Sequence, residues 1–311
     1  MNYVKTGLAM ISLMAALPTQ ANSNHPYPEK PLKADQIAQQ AYLVQHGMHM
    51  KNSIIRKTNG KVAMVLNRMP VKNVSVNILE ASFKNDFNDG KTESKSLAIM
   101  KSGRLRGTGI LMTHYIDNNR QPSISLWLPS LRKVRRMSVP NHADKWMGTN
   151  MTYGDVYLRK PEHEAHELLG MKTFADCLGS MKLENSEKTK TTKNLPENSC
   201  RPKGKEVYQL KSTTKFKDWW YDYHLTDIDT QTFAAYRTVY FKEGKQIKTI
   251  EVDWKSLNLT DPRKIVPSYI YAKSMESGQE SMLVIPFETI KLNTKLSASY
   301  WSEKTLRKIK R

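Results

Sequence analysis

Residues 106–155 carry most of the information about the fold. They read RGTGILMTHYIDNNRQPSISLWLPSLRKVRRMSVPNHADKWMGTNMTYGD. This stretch contains a strand that follows glycines, a second strand ending in Leu-Trp-Leu-Pro, a group of basic residues and an aromatic turn led by Gly148. Its order predicts consecutive strands that are joined by turns.

Strand patterns dominate the remainder of the chain. Apolar and polar residues alternate with period two, which is typical of strands that have one buried and one wet face. Parallel strands need crossovers of about a dozen residues or more, and the chain offers few candidates, so we predict an antiparallel sheet. The best examples are 74–78, 124–128, 233–241 and 250–254; hairpin turns are predicted at 88–90 and 242–245, and one amphipathic helix at 34–46.

Residues 1–23 have the features of a secretory signal peptide. Lys5 precedes an apolar run at 8–17, and small residues follow around Ala21. The run is far shorter than the roughly 20 apolar residues of a spanning helix. We therefore expect an exported protein that is soluble in the periplasm after cleavage. No linker or repeat divides the remainder, so 24–311 is predicted to form a single domain.

Two cysteines, Cys177 and Cys200, bound a polar segment without hydrophobic period. Thiols pair in oxidising compartments, so export predicts a disulfide between them and a solvated loop at about 177–200. Two unrelated buried thiols are the alternative. Zinc binding has little support, because no second Cys pair or His pair lies nearby.

The formal net charge of +20 restricts the possible partners. Anionic lipid headgroups or an acidic docking protein would suit it, whereas export argues against nucleic acid. Part of the excess is concentrated at Arg132, Lys133, Arg135 and Arg136. A solvated face is the alternative interpretation of this cluster.

One segment, His-Glu-Ala-His-Glu at 163–167, suggests catalysis. A zinc protease helix needs its histidines four residues apart, and here they are three apart. Pro161 and Gly170 predict a short exposed helix around this segment. No nucleophile elbow, P-loop or dinucleotide-binding motif is present. We therefore predict a protein that is not an enzyme, with no catalytic residues, metal site or cofactor.

The chain resembles the LolA-like outer-membrane lipoprotein-sorting protein family. The family's Leu-Tyr-Leu-Pro-Ala-Leu element stands here as 126–131, its arginine pair as Arg135 and Arg136, and its glycine-led turn as 147–153 with Asp155 after it. The last hairpins and the closing segment 300–307 also follow the family's order. Departures are mild: Trp127 replaces a tyrosine, Asn150 an acidic residue, and Trp301-Ser302 an aromatic-threonine pair.

The resemblance implies a mainly β (α+β) fold: a curved, incompletely closed antiparallel barrel of LolA/LppX-like type, with a few helices plugging its open side. It also implies a periplasmic carrier that holds lipid or lipidated protein in an apolar groove and moves it between envelope membranes. An RND-type inner-membrane transporter and an anionic membrane surface are the implied partners. A carrier needs no catalytic residues, which agrees with their absence.

Several residues are candidates for these roles. The strand patterns place Leu126, Leu128, Val239, Phe241 and Trp254 in the groove. Arg132, Lys133, Arg135 and Arg136 would form a basic lip that contacts lipid phosphates or an acidic partner; alternatively, Arg135 or Arg136 pairs with Asp144 or Asp155. Gly148, Tyr153 and Asp155 belong to the motif turn.

Two other functions stay open at this point. A non-catalytic envelope scaffold would bind an acidic partner through the basic face. A metal-dependent periplasmic hydrolase is a weaker alternative.

Overall fold

The computed structural model describes residues 25–70, 74–85, 87–157 and 159–309, so the predicted signal peptide lies outside the described residues. Within these ranges the helices are α1 (Ala34–Gln45), α2 (Tyr153–Val156) and α3 (Glu303–Leu306). The strands are β1 (Asn52–Ile55), β2 (Ala63–Arg68), β3 (Ser75–Asn85), β4 (Thr92–Met100), β5 (Gly109–Tyr115), β6 (Ser123–Leu128), β7 (Lys133–Met137), β8 (Glu164–Thr173), β9 (Glu206–Thr214), β10 (Tyr223–Asp229), β11 (Ala235–Lys242), β12 (Lys245–Ser256), β13 (Ile265–Ser274), β14 (Glu280–Val284) and β15 (Ile290–Leu292).

All these strands belong to one antiparallel sheet, in the order β7-β6-β5-β4-β3-β2-β14-β13-β12-β11-β10-β9-β8. The second half of β3 also pairs with β1, which in turn pairs with β15. In the described part of the chain, the edge strands β7 and β8 do not pair with each other. The prediction of a mainly β, incompletely closed antiparallel structure is confirmed.

Tight turns explain why neighbouring strands run antiparallel. Between β11 and β12, Glu243 and Gly244 have φ values of 50° and 72°. Positive φ at both central residues defines the two-residue hairpin whose twist matches the flanking strands. Between β3 and β4, the Asp89 carboxylate accepts the backbone N–H groups of Lys91 and Thr92. Both predicted hairpin turns are therefore confirmed.

The first and last parts of the chain meet in the middle of the sheet, where β2 pairs with β14. Arg68 lies opposite Glu280 in this pair, and its Nη1 atom is 3.0 Å from Glu280 Oε2. Its Nη2 atom is 2.7 Å from Glu187 Oε2, in the segment between the two cysteines. One arginine thus ties together three distant parts of the sequence.

Helix α1 confirms the prediction for 34–46 to within one residue. It begins where the Lys33 N–H donates to the Gln36 side chain, and it ends before Gly47, whose φ of 61° suits glycine. Ile37 and Val44 are buried in a core that also contains residues of β2, β9, β13 and β14. Each such side chain stabilises the fold by roughly 1.5–3 kcal/mol.

The predicted helix at 161–170 is wrong. Pro161–His163 forms one 3₁₀ turn, and Glu164–Thr173 is the edge strand β8, paired with β9. Glu164 is buried, whereas Ala165 and Glu167 on the other face are exposed. The strand alternation is present, but polar side chains occupy the first two inward positions, Glu164 and His166, so hydrophobicity did not reveal it.

Cys177 and Cys200 form the predicted disulfide, with Cα atoms 4.2 Å apart. Most of the segment between them is exposed, as expected. Leu178 and Met181 depart from that expectation, because both are buried in the core that contains α1. The segment is therefore anchored at its start by apolar burial and at Glu187 by the ion pair with Arg68.

Candidate ligand-binding cavity

The concave face of the sheet encloses a cavity that is covered by the end of α1. It has two adjoining chambers of about 260 and about 330 Å³. Both chambers are bordered by His46, Phe83, Trp254 and Ile270. Small-molecule sites measure roughly 300–1,000 Å³, so the two chambers together are large enough for a ligand.

The first chamber, the apolar chamber, is lined mainly by aliphatic side chains. Leu79, Ala81 and Phe83 alternate along β3 and face it from one side, while Leu283 and Ile285 face it from another. Each methylene that leaves water for such a surface contributes about 0.8 kcal/mol. The remaining aliphatic lining residues are Val44, Ile55, Ala63, Val156, Ile265, Val266, Ile270 and Ile290.

The second chamber, the polar chamber, contains a buried ionic network. The Tyr221 hydroxyl donates to Glu164 at 2.5 Å, His224 Nε2 lies 3.0 Å from the same carboxylate, and Arg159 Nε lies 3.4 Å from it. Burial opposes ionisation of Glu164, but the Arg159 charge and the hydrogen bonds outweigh it and hold the pKa of Glu164 well below its usual range. The carboxylate is thus ionised and matched to one guanidinium.

Three of the histidines that line the cavity, His46, His114 and His224, are uncharged at neutral pH. Burial lowers the pKa of His46 to about 3 and that of His114 to about 4. Burial also lowers the pKa of His224, although the charge of Glu164 opposes the shift. The fixed charges of the polar chamber therefore come from carboxylates and from Arg and Lys side chains.

The motif turn supplies the second ion pair. Asp155 accepts the Thr152 N–H at 2.7 Å, which caps α2, and its carboxylate also accepts a hydrogen bond from Lys248 of β12. The turn is held against β2, because the Gly148 carbonyl accepts a hydrogen bond from Nδ2 of Asn67, at 2.8 Å. Tyr153 is fully buried. The resemblance singled out Gly148, Tyr153 and Asp155, and the structure places Asp155 in the cavity wall.

Aromatic residues pack behind α2. The Trp220 ring lies against Gly154, only 2.1 Å from where a Cβ atom would be. Trp219 and His142 have ring centroids 4.2 Å apart in the same cluster. The C-terminal third of the chain is rich in aromatic residues, but the sequence does not show that Trp220 contacts the motif turn.

The residues predicted for the groove do not lie together in the cavity wall. Trp254 borders both chambers. Val239 and Phe241 do not line either one, and their neighbours Thr238 and Tyr240 do. The pairing of β11 with β10 shifts register between Ala235 and Arg237, which reverses the alternation assumed from the sequence.

On β6, Leu126 packs against the core cluster around Ile124 and Tyr153. Leu128 is partly buried at the end of this strand and is not among the residues that line the chambers.

The predicted basic lip lies at the β7 edge of the sheet, at the opposite end from β8. Its residues are in β7 and just before it. Arg132, Lys133, Arg135 and Arg136 are all exposed. The alternative pairing with acidic residues of the turn is not observed in the described residues: Asp155 pairs with Lys248, and Asp144 accepts the Asn141 N–H. The lip is thus a row of exposed cations, on and just before an edge strand, that have no acidic partner in the part of the chain that the structure describes.

The segment 163–167 contributes to the polar chamber instead of a metal centre. Glu164 and His166 lie on one face of β8 and line the chamber. The His166 ring is held between the Ser212 hydroxyl and the Pro161 carbonyl, both at 2.9 Å. Within the described ranges, no group of three or more His, Cys, Asp or Glu residues is arranged to hold a metal ion.

Three solved structures, each from a different bacterium, have a fold similar to that of this chain. An outer-membrane lipoprotein-sorting protein domain from Vibrio parahaemolyticus is 17% identical, with a TM-score of 0.65 over 88% of this chain and 98% of that one. A DUF1329 family protein from Desulfovibrio piger is 15% identical, with a TM-score of 0.65 over 88% and 98%. A LolA superfamily protein from Nitrosomonas europaea is 15% identical, with a TM-score of 0.55 over 88% and 100%.

These likenesses define the class of protein: the fold is LolA-like, as the sequence resemblance implied. A family model described as "Uncharacterized protein" matches residues 92–308, and the chain belongs to that family. No curated protein matches the chain. Among the described residues, no helix combines the length and apolar character required to cross a membrane.

Proposed function

We propose that the protein is a non-catalytic periplasmic carrier that binds a lipid, or the acyl chains of a lipidated protein, and moves it between envelope membranes. The single observation that carries the proposal is the cavity enclosed by the LolA-like sheet. Its apolar chamber would remove hydrocarbon from water, while its polar chamber would receive the end of the ligand that carries oxygen or nitrogen.

The basic lip is the proposed contact with other components. Arg132, Lys133, Arg135 and Arg136 would bind lipid phosphates of an anionic membrane surface or acidic residues of a partner, such as an RND-type inner-membrane transporter. Their exposure supports this role, because free cations near a surface attract anionic groups over about one Debye length, roughly 8 Å at physiological salt. Of the five residues predicted for the groove, Trp254 enters this proposal as a wall of the cavity.

Cavity filling gives a direct test. Ala81→Phe would place a ring in the apolar chamber, and binding of a fluorescent fatty-acyl probe should fall by about tenfold or more. Ala165→Phe is the matched control, since Ala165 is exposed on the outer face of β8 and its replacement should leave binding unchanged.

Lipid extraction tests the natural cargo. Protein purified from its own envelope should carry acyl-containing material, detectable by mass spectrometry of an organic extract. An empty extract together with unchanged probe binding in Ala81→Phe would refute the carrier function.

A further inference from the structure

Two polar atoms in the wall of the polar chamber are buried without a hydrogen-bond partner in the described residues: Nη1 of Arg159 and Oδ1 of Asp155. The other atoms of both side chains are engaged. Arg159 uses Nε for Glu164 and directs Nη2 toward His224, while Asp155 uses Oδ2 for the Thr152 N–H and for Lys248. The two residues that carry this unpaired donor and this unpaired acceptor both border the polar chamber.

Tyr240 lies near both of these side chains. Its ring lines the polar chamber, and its hydroxyl is influenced by the charges of both Arg159 and Asp155. The Arg159 guanidinium lies within hydrogen-bonding range of the Tyr240 hydroxyl, but its Nη1 atom has no hydrogen bond of ordinary geometry among the described residues. Since burying an unpaired donor or acceptor is unfavourable, a ligand that supplies both partners gains affinity here.

The charges of the chamber are already balanced. Arg159 faces Glu164, and Lys248 faces Asp155. Burial keeps His224 and His46 neutral, since it lowers the pKa of each. A ligand with a carboxylate or phosphate headgroup would have to lose its water of hydration beside these two carboxylates, whose cations are already paired. Such desolvation of an anion is costly.

The apolar chamber adds one cation to this balance, and its ammonium group is already engaged by uncharged groups. Its one charged lining residue among those described, Lys95, donates from Nζ to the Trp301 carbonyl and lies over the Phe87 ring.

We propose that the polar chamber selects an uncharged headgroup that has both an acceptor and a donor, such as a hydroxyl or an amide. The acceptor would bind Nη1 of Arg159, the donor would bind Oδ1 of Asp155, and the acyl chain would extend into the apolar chamber. This inference rests on the proposed function, because it presupposes that an amphiphile occupies the cavity.

A ligand series on the wild-type protein tests the inference without any mutation. The alcohol, the primary amide, the carboxylate and the phosphate monoester of one saturated chain length would each compete with a bound fluorescent acyl probe at neutral pH. We expect the alcohol and the amide to bind at least about tenfold more tightly than the two anions.

A variant then assigns the selection to Arg159. Arg159→Lys keeps the positive charge next to Glu164 but removes the forked nitrogen. We expect the affinity for the alcohol and the amide to fall by about three- to tenfold, while that for the carboxylate stays the same. Arg307→Lys, in an exposed pair with Glu303, is the control and should change neither.

The outcomes separate the two proposals. Equal affinities for the four ligands would mean that water satisfies Nη1 of Arg159 and Oδ1 of Asp155. That result would overturn the headgroup inference and leave the carrier function standing. Tighter binding of the carboxylate or of the phosphate ester also overturns it and identifies which anion the site takes. Binding of none of the four ligands would refute both proposals.

Discussion

The two edges of the sheet use charge in opposite ways. At β7, the basic lip projects into solvent, and its cations have no acidic partner among the described residues. At β8, Glu164 points inward and is 6% exposed, matched by Arg159 and hydrogen-bonded by Tyr221 and His224. A charge in water is inexpensive to keep or remove, whereas a buried charge is tolerated only with its partner. The β7 edge is therefore free to serve an external partner, and the β8 edge is committed to the cavity wall.

The largest expected effect is at β8. Glu164→Ala would leave the Arg159 guanidinium buried without its carboxylate, and we expect it to destabilise the fold by about 3–5 kcal/mol. Glu167→Ala, on the exposed face of the same strand, should change stability by no more than about 0.5 kcal/mol. Urea denaturation of both variants checks the contrast. Similar losses in the two would show that β8 is not divided into a buried and an exposed face.

The packing behind the motif turn should be the next most sensitive feature. Gly154→Ala adds a methyl group where the Trp220 ring already lies, so we expect a loss of about 1–3 kcal/mol. Gly154→Ala combined with Trp220→Leu should recover part of this loss, because the smaller side chain relieves the clash. Thermal denaturation of the single and double variants measures the recovery; a double variant that is less stable than either single one would contradict this packing.

The charged side chains at the two edges should also differ in how their contributions to stability depend on pH. Glu164 has a lowered pKa in the folded protein, relative to 4.5 for an ordinary glutamate. Its contribution to stability is therefore present above pH 4.5 and is lost as the pH falls toward the folded value, by about 1.4 kcal/mol for each pH unit.

The measurement is the stability difference between wild type and Glu164→Gln, which should narrow as the pH falls below 4.5. Guanidinium and ammonium groups stay charged over this range, so the difference between wild type and an Arg132→Gln, Lys133→Gln double variant should stay flat. A difference for Glu164→Gln that does not change with pH would mean that the carboxylate titrates normally.

The smallest effect on stability is expected at β7. Arg132→Gln with Lys133→Gln should alter the free energy of unfolding by less than about 0.5 kcal/mol, because both side chains are exposed. The same variant should bind anionic vesicles more weakly, by about 1 kcal/mol per charge, and the difference should shrink as salt is added. Vesicle sedimentation at two salt concentrations checks this.

The control is Lys188→Gln with Lys190→Gln, in the exposed part of the cysteine-bounded segment. It removes the same total charge from a different surface. If both double variants lose the same affinity, binding depends on net charge, and the lip has no special role.

The fold could be predicted because its evidence is local. Period-two patterns identified β6 and β12, Glu243 and Gly244 marked a hairpin, and the spacing of Ile37, Ala38 and Ala41 placed α1. The disulfide was predicted from an even cysteine count and from the expected export of the chain.

The cavity wall was harder to predict, because its evidence depends on pairing between strands. The inward positions of β8 hold Glu164 and His166, which resemble an exposed segment until their partners on other strands are known. The bulge near Tyr236 reverses the side that Val239 and Phe241 face, and nothing in the local pattern announces it. Arg159 was overlooked because a single arginine in the segment between α2 and β8 carries no signal before Glu164 is placed beside it.

The pairing of β2 with β14 has a consequence for folding kinetics. Arg68 and Glu280 are neighbours in the sheet although most of the chain separates them, so the centre of the sheet closes only when the last strands arrive. Contacts of such long sequence separation slow folding, because the entropy of closing the loop is lost before the contact is gained. Until then β2 has an open side that another chain could occupy. We therefore expect slow refolding that becomes less efficient as protein concentration rises, with aggregation competing at this central strand and not at the charged edge β7.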